Sequence, residues 1–475
     1  MLQLLWFLLI SPQLVLSPNQ EGPFLQQIKH SFDDPDGALS NWNNRYDNPF
    51  TGSVYLVDLS NTNIAGPFPT LLCNFQNLFF ISLFNNSINS SLPEEISICV
   101  NLQHLNLAQN LLVDIPMSFG RFPKLDVLSL VGNLFNGTIP SLLGNISTLK
   151  QLKLSYNPFT PNQIPPELGN LTHLKVLSFT QCNLVGQIPD SLGMLQSLLD
   201  FGLAINNLHG PIPKSITNLS SVVQIEFFNN SLSGGFSVGI SNLKALRRLD
   251  ASMNDWNGMI PDEFCGLSLE YIVKSPNLYV MRLFQNRLTR ELPKELGVNS
   301  PLESFDVSKN QFFGNVPTNL CAKGSLQELY LISNLFTRLI PESLCYCSSL
   351  IMVGMMGNQL SGEVPPAFWG LPHVYQLALA GNLFSGEIST MIQGASSLYV
   401  LLISENRLIE NIPDEIGLLE NLVEFSASNN QLTRPLPASL MNLTRLTMLN
   451  LASNELYGKI PAEIGSLPML SYLDL

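Results

Sequence analysis

The sequence has little charge and few cysteines and histidines, and each scarcity argues against a class of function. Charged residues make up 12% of the 475 positions, against about 25% in a typical soluble domain. Because 45% of the residues are hydrophobic, the low charge does not indicate disorder. The five histidines are scattered, and no H-E-x-x-H motif or cysteine–histidine zinc spacing occurs. The net charge of −13 makes nucleic acid and anionic lipid poor partners. We expect no metal and no cofactor.

Linkers and long apolar runs are also scarce. The length suggests several domains, but no Pro/Ser/Gly tract or charge block divides the chain. One apolar run, from Leu2 to Leu16, precedes small residues near Ser17, which predicts a signal peptide over residues 1–17. A signal anchor is the alternative, although the run is short of the roughly 20 residues that a membrane span needs. No later stretch is long and apolar enough to cross a membrane.

Two short motifs resemble catalytic signatures but lack their context. The D-F-G at Asp200–Gly202 has no kinase H-R-D, V-A-I-K or A-P-E motif to accompany it. The G-F-S-V-G at Gly235–Gly239 matches a nucleophile elbow, but no hydrolase-type strand, turn and helix surround it. We therefore predict no enzymatic activity within these residues.

A repeat fills most of the chain. The template L-x-x-L-x-L-x-x-N-x-L-x-x-x-x-I-P recurs from Pro69 to Pro461 in steps of 24 residues, give or take one, except from Pro261 to Pro293, and Ser237 and Ser389 stand in two proline positions. The spacing is that of a leucine-rich repeat. It predicts an α/β-type solenoid of plant-specific 24-residue repeats. We expect a curved right-handed superhelix, with a parallel β-sheet on the concave face and short helical or 3₁₀ segments outside.

Different positions of the repeat have different predicted structural roles. The leucines of L-x-L point inward from a short strand, and the residues between them face the concave surface. The asparagine column, from Asn86 to Asn454, can satisfy backbone groups in the following bend. Thr62 occupies that position in the first turn and Cys182 in a later one.

The repeat sets the predicted boundaries. Residues 18–53 form an N-terminal cap, and residues 54–475 form about 17 full turns followed by a truncated last turn. The step from Pro261 to Pro293 is 32 residues, which is neither one repeat of 24 nor two repeats of 48. The segment resembles two fused repeats with about sixteen residues missing, so we expect a shortened repeat near 262–292. The truncated last turn suggests a fragment of a longer protein.

The cysteine spacing predicts two disulfides. Cys73 and Cys99 are 26 residues apart, as are Cys321 and Cys347, and each pair falls in the outer loops of adjacent turns. Such a bond would stabilise the fold by roughly 3–4 kcal/mol in the chain-entropy model. The alternative is reduced, buried thiols, and Cys265 and Cys345 have no evident partner.

Secretion would make N-x-[ST] motifs meaningful as glycosylation acceptors. The candidates are Asn85, Asn89, Asn136, Asn145, Asn170, Asn218, Asn229 and Asn442.

Several segments make the chain resemble the HAESA-like family of plant peptide-hormone receptor kinases. They include NQEG (Asn19–Gly22), DDPDGALSNWN (Asp33–Asn43), SPNLYVMRLFQNRLT from Ser275, FWGLPHVY from Phe368 and DEIGLLENLVEFSASNNQ from Asp414. The resemblance covers essentially the whole chain. It implies a concave face that binds a short secreted peptide, a leucine-rich-repeat co-receptor kinase that joins near the C-terminal repeats, and a serine/threonine kinase that this chain lacks.

The chain departs from the family at informative positions. The segment NPFTGSVYL (Asn48–Leu56) lacks the cysteine pair of the family cap. The resemblance implies an Arg-x-Arg pair that holds the carboxylate of the peptide, but Met352 and Gly354 occupy those positions. We therefore do not expect carboxylate recognition at these two residues.

Polar and aromatic residues on successive strands remain candidates for contacting a ligand. They are Gln224, Glu226, Phe228, Arg248, Asp250, Arg282, Phe284, Asp306, Glu328 and Tyr330. The alternative is that they are only tolerated surface residues.

The leading hypothesis is therefore the extracellular, peptide-binding part of a receptor kinase, exposed at the plasma membrane. A decoy or inhibitor secreted to the apoplast and a decayed, non-functional paralogue are the alternatives.

Overall fold

The structure is a computed structural model that describes residues 21–40, 54–236, 239, 242–262 and 278–475. The chain divides into two compact units. The first contains residues 1–209 and 213–222, and the second contains residues 210–212 and 223–475. The predicted signal peptide, the segment at 41–53 and residues 263–277 of the shortened repeat lie outside the described residues. The first unit begins with the helix Glu21–Ser31.

Each repeat begins with a three-residue strand, here called a front strand, that pairs in parallel with its neighbours within a unit. In the first unit these strands are Leu56–Asp58, Phe80–Ser82, His104–Asn106, Val127–Ser129, Gln151–Lys153, Val176–Ser178 and Asp200–Gly202. In the second unit they are Gln224–Glu226, Arg248–Asp250, Val280–Arg282, Ser304–Asp306, Glu328–Tyr330, Met352–Gly354, Gln376–Ala378, Val400–Leu402, Glu424–Ser426, Met448–Asn450 and Tyr472–Asp474.

A second strand follows the asparagine bend in most repeats, and a 3₁₀ turn or short helix closes the repeat. The second strands are Ala65–Pro67, Ser87–Ser90, Leu111–Leu112, Val185–Gly186, Asn207–Gly210, Ser231–Gly234, Asp255–Gly258, Arg287–Arg290, Gln311–Gly314, Leu335–Arg338, Gln359–Glu363, Leu383–Gly386, Arg407–Glu410 and Gln431–Leu432. The closing segments, here called back turns, are Thr70–Asn74, Glu94–Ile98, Met117–Arg121, Ser141–Asn145, Pro166–Asn170, Asp190–Met194, Lys214–Asn218, Glu342–Tyr346, Pro366–Trp369, Thr390–Gly394, Asp414–Leu418, Ala438–Asn442 and Ala462–Ser466.

The sequence explains this layout. The leucines at the regular positions of the repeat are buried, as Leu125, Leu128 and Leu130 are in one repeat. A proline lies directly before most back turns, as Pro341 does, because its fixed φ suits the residue that precedes a helical turn and it lacks an N–H to satisfy. The predicted leucine-rich-repeat fold, with parallel sheet and 3₁₀ segments, is confirmed.

The asparagine ladder also forms as predicted. Asn358 Nδ2 donates to the carbonyl oxygens of Leu331, Met355 and Met356 at 2.9, 3.0 and 3.3 Å, while its Oδ1 accepts from the Phe336 N–H at 3.1 Å. One buried side chain therefore satisfies backbone groups of two repeats.

Cys182 fits the ladder differently. Its Sγ donates to Leu154 O at 3.3 Å, and burial raises the pKa of the thiol to about 12. The thiol is therefore protonated at neutral pH and poorly reactive.

Both predicted disulfides are present. Cys73 bonds to Cys99, and Cys321 bonds to Cys347. Cys345 is a free thiol, and Cys265 lies outside the described residues. Within the described ranges, no helix is long and apolar enough to span a bilayer.

Candidate functional site

The front strands create one continuous surface in the second unit. In each strand except the last, Tyr472–Asp474, the middle residue is buried, as Ile225 is between Gln224 and Glu226. The side chains on either side of it point to the opposite surface, since successive residues of a strand alternate. We call this surface of the second unit the front face. It includes eight of the ten candidate residues predicted from the sequence, and the other two, Phe228 and Phe284, follow their strands by two residues.

Register across the sheet places these candidates in rows. Glu226 lies beside Asp250, Asp250 beside Arg282, Arg282 beside Asp306, and Asp306 beside Tyr330. The pairing of Arg248–Asp250 with Val280–Arg282 continues through the shortened repeat without a change of register. The row is therefore continuous even where the sequence spacing is not.

Two ion pairs organise the charged part of the face. Arg248 Nε lies 3.3 Å from Glu226 Oε1, and Arg282 Nη2 lies 3.3 Å from Glu328 Oε2. Ser304 Oγ also donates to Glu328 Oε2 at 2.6 Å. The side chains of these four charged residues are 24–39% exposed, so they are partly solvated and accessible to a ligand.

Two aspartates in the same row are held by their own backbone bends. Asp250, which is only 6% exposed, accepts hydrogen bonds from the N–H and hydroxyl of Ser252. Asp306 accepts one from the N–H of Ser308. Burial, partly offset by that hydrogen bond and by Arg282, raises the pKa of Asp306. The sequence placed Asp250 on the accessible surface, but the structure buries its side chain because it folds back onto Ser252.

The aromatic candidates Phe228, Phe284 and Tyr330 are partly buried on the same face. Burial, with the negative charges of Glu328 and Asp306, raises the pKa of the Tyr330 phenol. The phenol is therefore a neutral hydrogen-bonding group at physiological pH.

The next three front strands differ in character. Met352–Gly354, Gln376–Ala378 and Val400–Leu402 contain no ionisable residue. Around them lie Ile351 and Tyr375, which are 39% and 42% exposed, and the Tyr375 and Tyr399 rings stack with centroids 4.8 Å apart. The sequence reading identified Met352 and Gly354 but missed this wider region. The signal was the lack of charge at the equivalent positions of the two following repeats.

Gly354 is covered rather than open. A Cβ built on it would lie 2.8 Å from Tyr330 Cδ1 and 2.9 Å from Ile332 Cδ1. The Tyr330 ring and the Ile332 side chain therefore occupy the space above the glycine, which is buried. Gly354 itself therefore offers a ligand no open surface, because its two neighbours cover it.

Of the two motifs that resembled catalytic signatures, the structure describes the first in full. Asp200–Gly202 is a front strand, and burial raises the pKa of Asp200. Ser237 of the other motif lies outside the described residues. In the part of the chain that the structure describes, no group of three or more His, Cys, Asp or Glu side chains could hold a metal ion.

All eight candidate glycosylation asparagines are exposed. Four of them end back turns: Asn145, Asn170, Asn218 and Asn442.

Comparison with known sequences supports this architecture. Residues 141–350 match the family described as leucine-rich repeat region, residues 18–49 match the leucine rich repeat N-terminal domain, and residues 445–467 match a leucine rich repeat. Receptor-like protein kinase HSL1 of Arabidopsis thaliana is 50% identical over 110 residues, which are 21% of this chain and 11% of that protein. Receptor-like protein kinase 5 of the same plant is 42% identical over 148 residues, 28% of this chain and 15% of that protein. The matched segments thus span a small part of these relatives.

Solved structures extend the similarity to nearly the whole chain. The Arabidopsis HAESA ectodomain in complex with an N-terminally extended IDA peptide hormone is 42% identical, with 97% of this chain and 89% of that chain covered and a TM-score of 0.73. HAESA in complex with IDA and the co-receptor SERK1 is also 42% identical, with 96% of this chain and 89% of that chain covered and a TM-score of 0.74. The plant receptor RGFR1 in complex with RGF2 is 28% identical, with 89% and 74% coverage and a TM-score of 0.75. The chain therefore belongs to the family of leucine-rich-repeat ectodomains of plant receptor kinases that includes HAESA.

Proposed function

We propose that this chain is the ligand-binding extracellular region of a plant receptor kinase and that it binds a secreted peptide, in extended form, along the front face. The observation that carries the proposal is the run of accessible charged and aromatic side chains on consecutive front strands. That run occurs in a chain 42% identical to an ectodomain solved with a peptide hormone.

The size of the face suits a short peptide. Neighbouring strands are about 4.8 Å apart, so the eight front strands from Gln224–Glu226 to Val400–Leu402 span about 34 Å. An extended chain advances about 3.3 Å per residue. A peptide of about ten residues that crosses the strands would therefore contact every one of them.

The chemistry of the face suits recognition rather than catalysis. The Arg248–Glu226 and Arg282–Glu328 pairs offer charged donors and acceptors on a rigid sheet. Phe228, Phe284 and Tyr330 offer flat apolar surfaces of the kind that anchor interfaces. Since both arginines already have carboxylate partners, a peptide that binds here must complement a face with excess negative charge.

The other properties of the receptor also belong to the proposal. The solved HAESA complex contains the co-receptor SERK1, and we propose that a leucine-rich-repeat co-receptor kinase pairs with the ligand-bound chain. A position on the extracellular side of the plasma membrane follows from the same relationship. A kinase activity would belong to another segment of a full receptor.

The proposal can be tested with the chain expressed by a secretory host. The secreted protein is immobilised and panned with displayed random 12-residue peptides, and binding of enriched synthetic peptides is measured by calorimetry. A synthetic IDA peptide serves as a defined probe. We expect enriched peptides to bind the wild type and to lose affinity for an Arg282→Ala, Phe284→Ala variant. If folded protein enriches no peptide and binds no IDA, the proposed function is wrong.

A further inference from the structure

The three uncharged front strands form an apolar surface with a defined border. We call it the front patch, consisting of Ile351, Met352, Met356, Tyr375, Tyr399 and Leu402. Each of these side chains is partly exposed, and the row from Met352 to Val400 also contains one polar side chain, that of Gln376. Beneath them, Val353, Leu377 and Leu401 are no more than 1% exposed and belong to the core, so the exposed apolar side chains are an additional layer that the fold does not need.

Glutamates border the patch at both ends. Register places Glu328 beside Met352 on one side, and Glu424 beside Val400 on the other. Glu328 is already paired with Arg282. Among the described residues, Glu424 belongs to no ion pair. The patch therefore ends in an accessible negative charge.

Tyr330 and Ile332 lie over Gly354, so side chains of the charged part adjoin the front patch directly. No lysine or arginine lies on the three strands of the patch. A free carboxylate placed there would meet no cation, only the neutral Gln376 amide and tyrosine hydroxyls, and burying its charge would be unfavourable.

Resting on the proposed function, we infer that the front patch binds an uncharged run of about three apolar residues of the peptide, followed by a basic residue that pairs with Glu424. The step from Met352 to Glu424 crosses three strand spacings, about 14 Å, which is about four extended residues. Apolar side chains complement the patch, and a lysine or arginine complements its unpaired glutamate. The peptide segment here is internal or amidated, since the patch offers no cation to a terminal carboxylate.

The test compares matched variants of the secreted full chain. Peptides enriched from the 12-residue library are measured against wild type, Leu402→Asp, Glu424→Lys and the control Val127→Asp, which places the same charge on a front strand of the first unit. Melting curves of all four proteins verify folding. We expect Leu402→Asp to weaken binding about tenfold or more and Val127→Asp to have no effect.

A charge exchange tests the role of Glu424. Peptides with a basic residue after the apolar run should bind Glu424→Lys more weakly, and replacing that basic residue by glutamate should restore binding. On the peptide side, serine substitutions in the apolar run should weaken binding to unaltered protein, a result that does not depend on how any variant folds.

Three results would overturn the inference. The first is that the enriched peptides bind the Leu402→Asp variant as tightly as the wild type. Another is enrichment that requires a free terminal carboxylate. The third is a dimer of the secreted chain that Leu402→Asp abolishes, because a second copy would then cover the patch. If enriched peptides bind but ignore the patch, only this inference fails, whereas absence of any bound peptide contradicts the proposed function as well.

Discussion

The front face has two parts that share one scaffold and differ in chemistry. From Gln224–Glu226 to Glu328–Tyr330 the strands carry paired arginines and carboxylates, whereas from Met352–Gly354 to Val400–Leu402 they carry no charge. The buried residues and the asparagine ladder continue unchanged through both. In this fold the scaffold and the recognition surface are thus specified by different positions of the repeat.

The largest expected effect tests whether the scaffold is the same in both parts. Asn310→Ala, behind the charged part, and Asn358→Ala, behind the front patch, remove side chains with matching hydrogen bonds to two repeats. Each substitution leaves buried backbone groups unpaired, so we expect each to lower the free energy of unfolding by about 3 kcal/mol. Urea denaturation of the secreted protein measures both. A large difference between the two variants would show that the scaffold differs.

A smaller effect tests the cover over Gly354. Gly354→Ala introduces a Cβ into Tyr330 and Ile332, whereas Gly202→Ala, at the equivalent strand position of the first unit, meets only ordinary contacts from 3.7 Å upward. We expect Gly354→Ala to lower stability by about 1 kcal/mol through overpacking. Gly202→Ala should raise it by about 0.5–1 kcal/mol because alanine restricts the unfolded chain. Equal melting shifts for the two variants would contradict the observed cover.

The ion pairs are expected to matter little for stability. Glu328→Gln removes the charge that faces Arg282 but keeps an acceptor for Ser304. Because both charged side chains are about a third exposed, the loss should be below about 1 kcal/mol and should vanish in concentrated salt. Denaturation at low and high salt measures this. A larger, salt-independent loss would mean that the pair supports the fold rather than the recognition surface.

The last prediction concerns pH and should affect the charged part alone. Burial raises the pKa of Asp306, so ionisation of this group at neutral pH opposes folding. Asp306→Asn retains an oxygen for the Ser308 N–H and should raise the melting temperature at pH 7. The gain should shrink as the pH falls through the raised pKa, because the native aspartate is then protonated. A gain that stays constant between pH 7 and pH 3 would rule out this cause.

Sequence reasoning was strong where a residue contacts its own repeat or the equivalent residue of the next. The leucines, the Asn358 class of ladder residues and the Cys73–Cys99 and Cys321–Cys347 bonds depend on spacing alone, and the structure confirms them. Sequence reasoning was weak where the conformation of a side chain decides which neighbour it contacts. The fold of Asp250 onto Ser252 and of Tyr330 over Gly354 depends on side-chain torsions, which a repeat template does not specify.

The extent of the front patch could have been predicted. Aligning positions 352, 376 and 400 by the repeat shows Met, Gln and Val in one row, and positions 354, 378 and 402 show Gly, Ala and Leu in the next. The border at Glu424 is visible in the same alignment. The missing step was to read the rows across repeats instead of each repeat by itself.

The central claim is that a peptide covers both parts of the front face. Hydroxyl-radical footprinting tests it most directly, because methionine and tyrosine oxidise readily when exposed to solvent. With an enriched peptide bound, we predict that oxidation of Met352, Met356 and Tyr330 falls several-fold. Met194 on a back turn, which is 61% exposed, should oxidise as before. Unchanged oxidation of Met352 and Met356 under saturating peptide would contradict the claim.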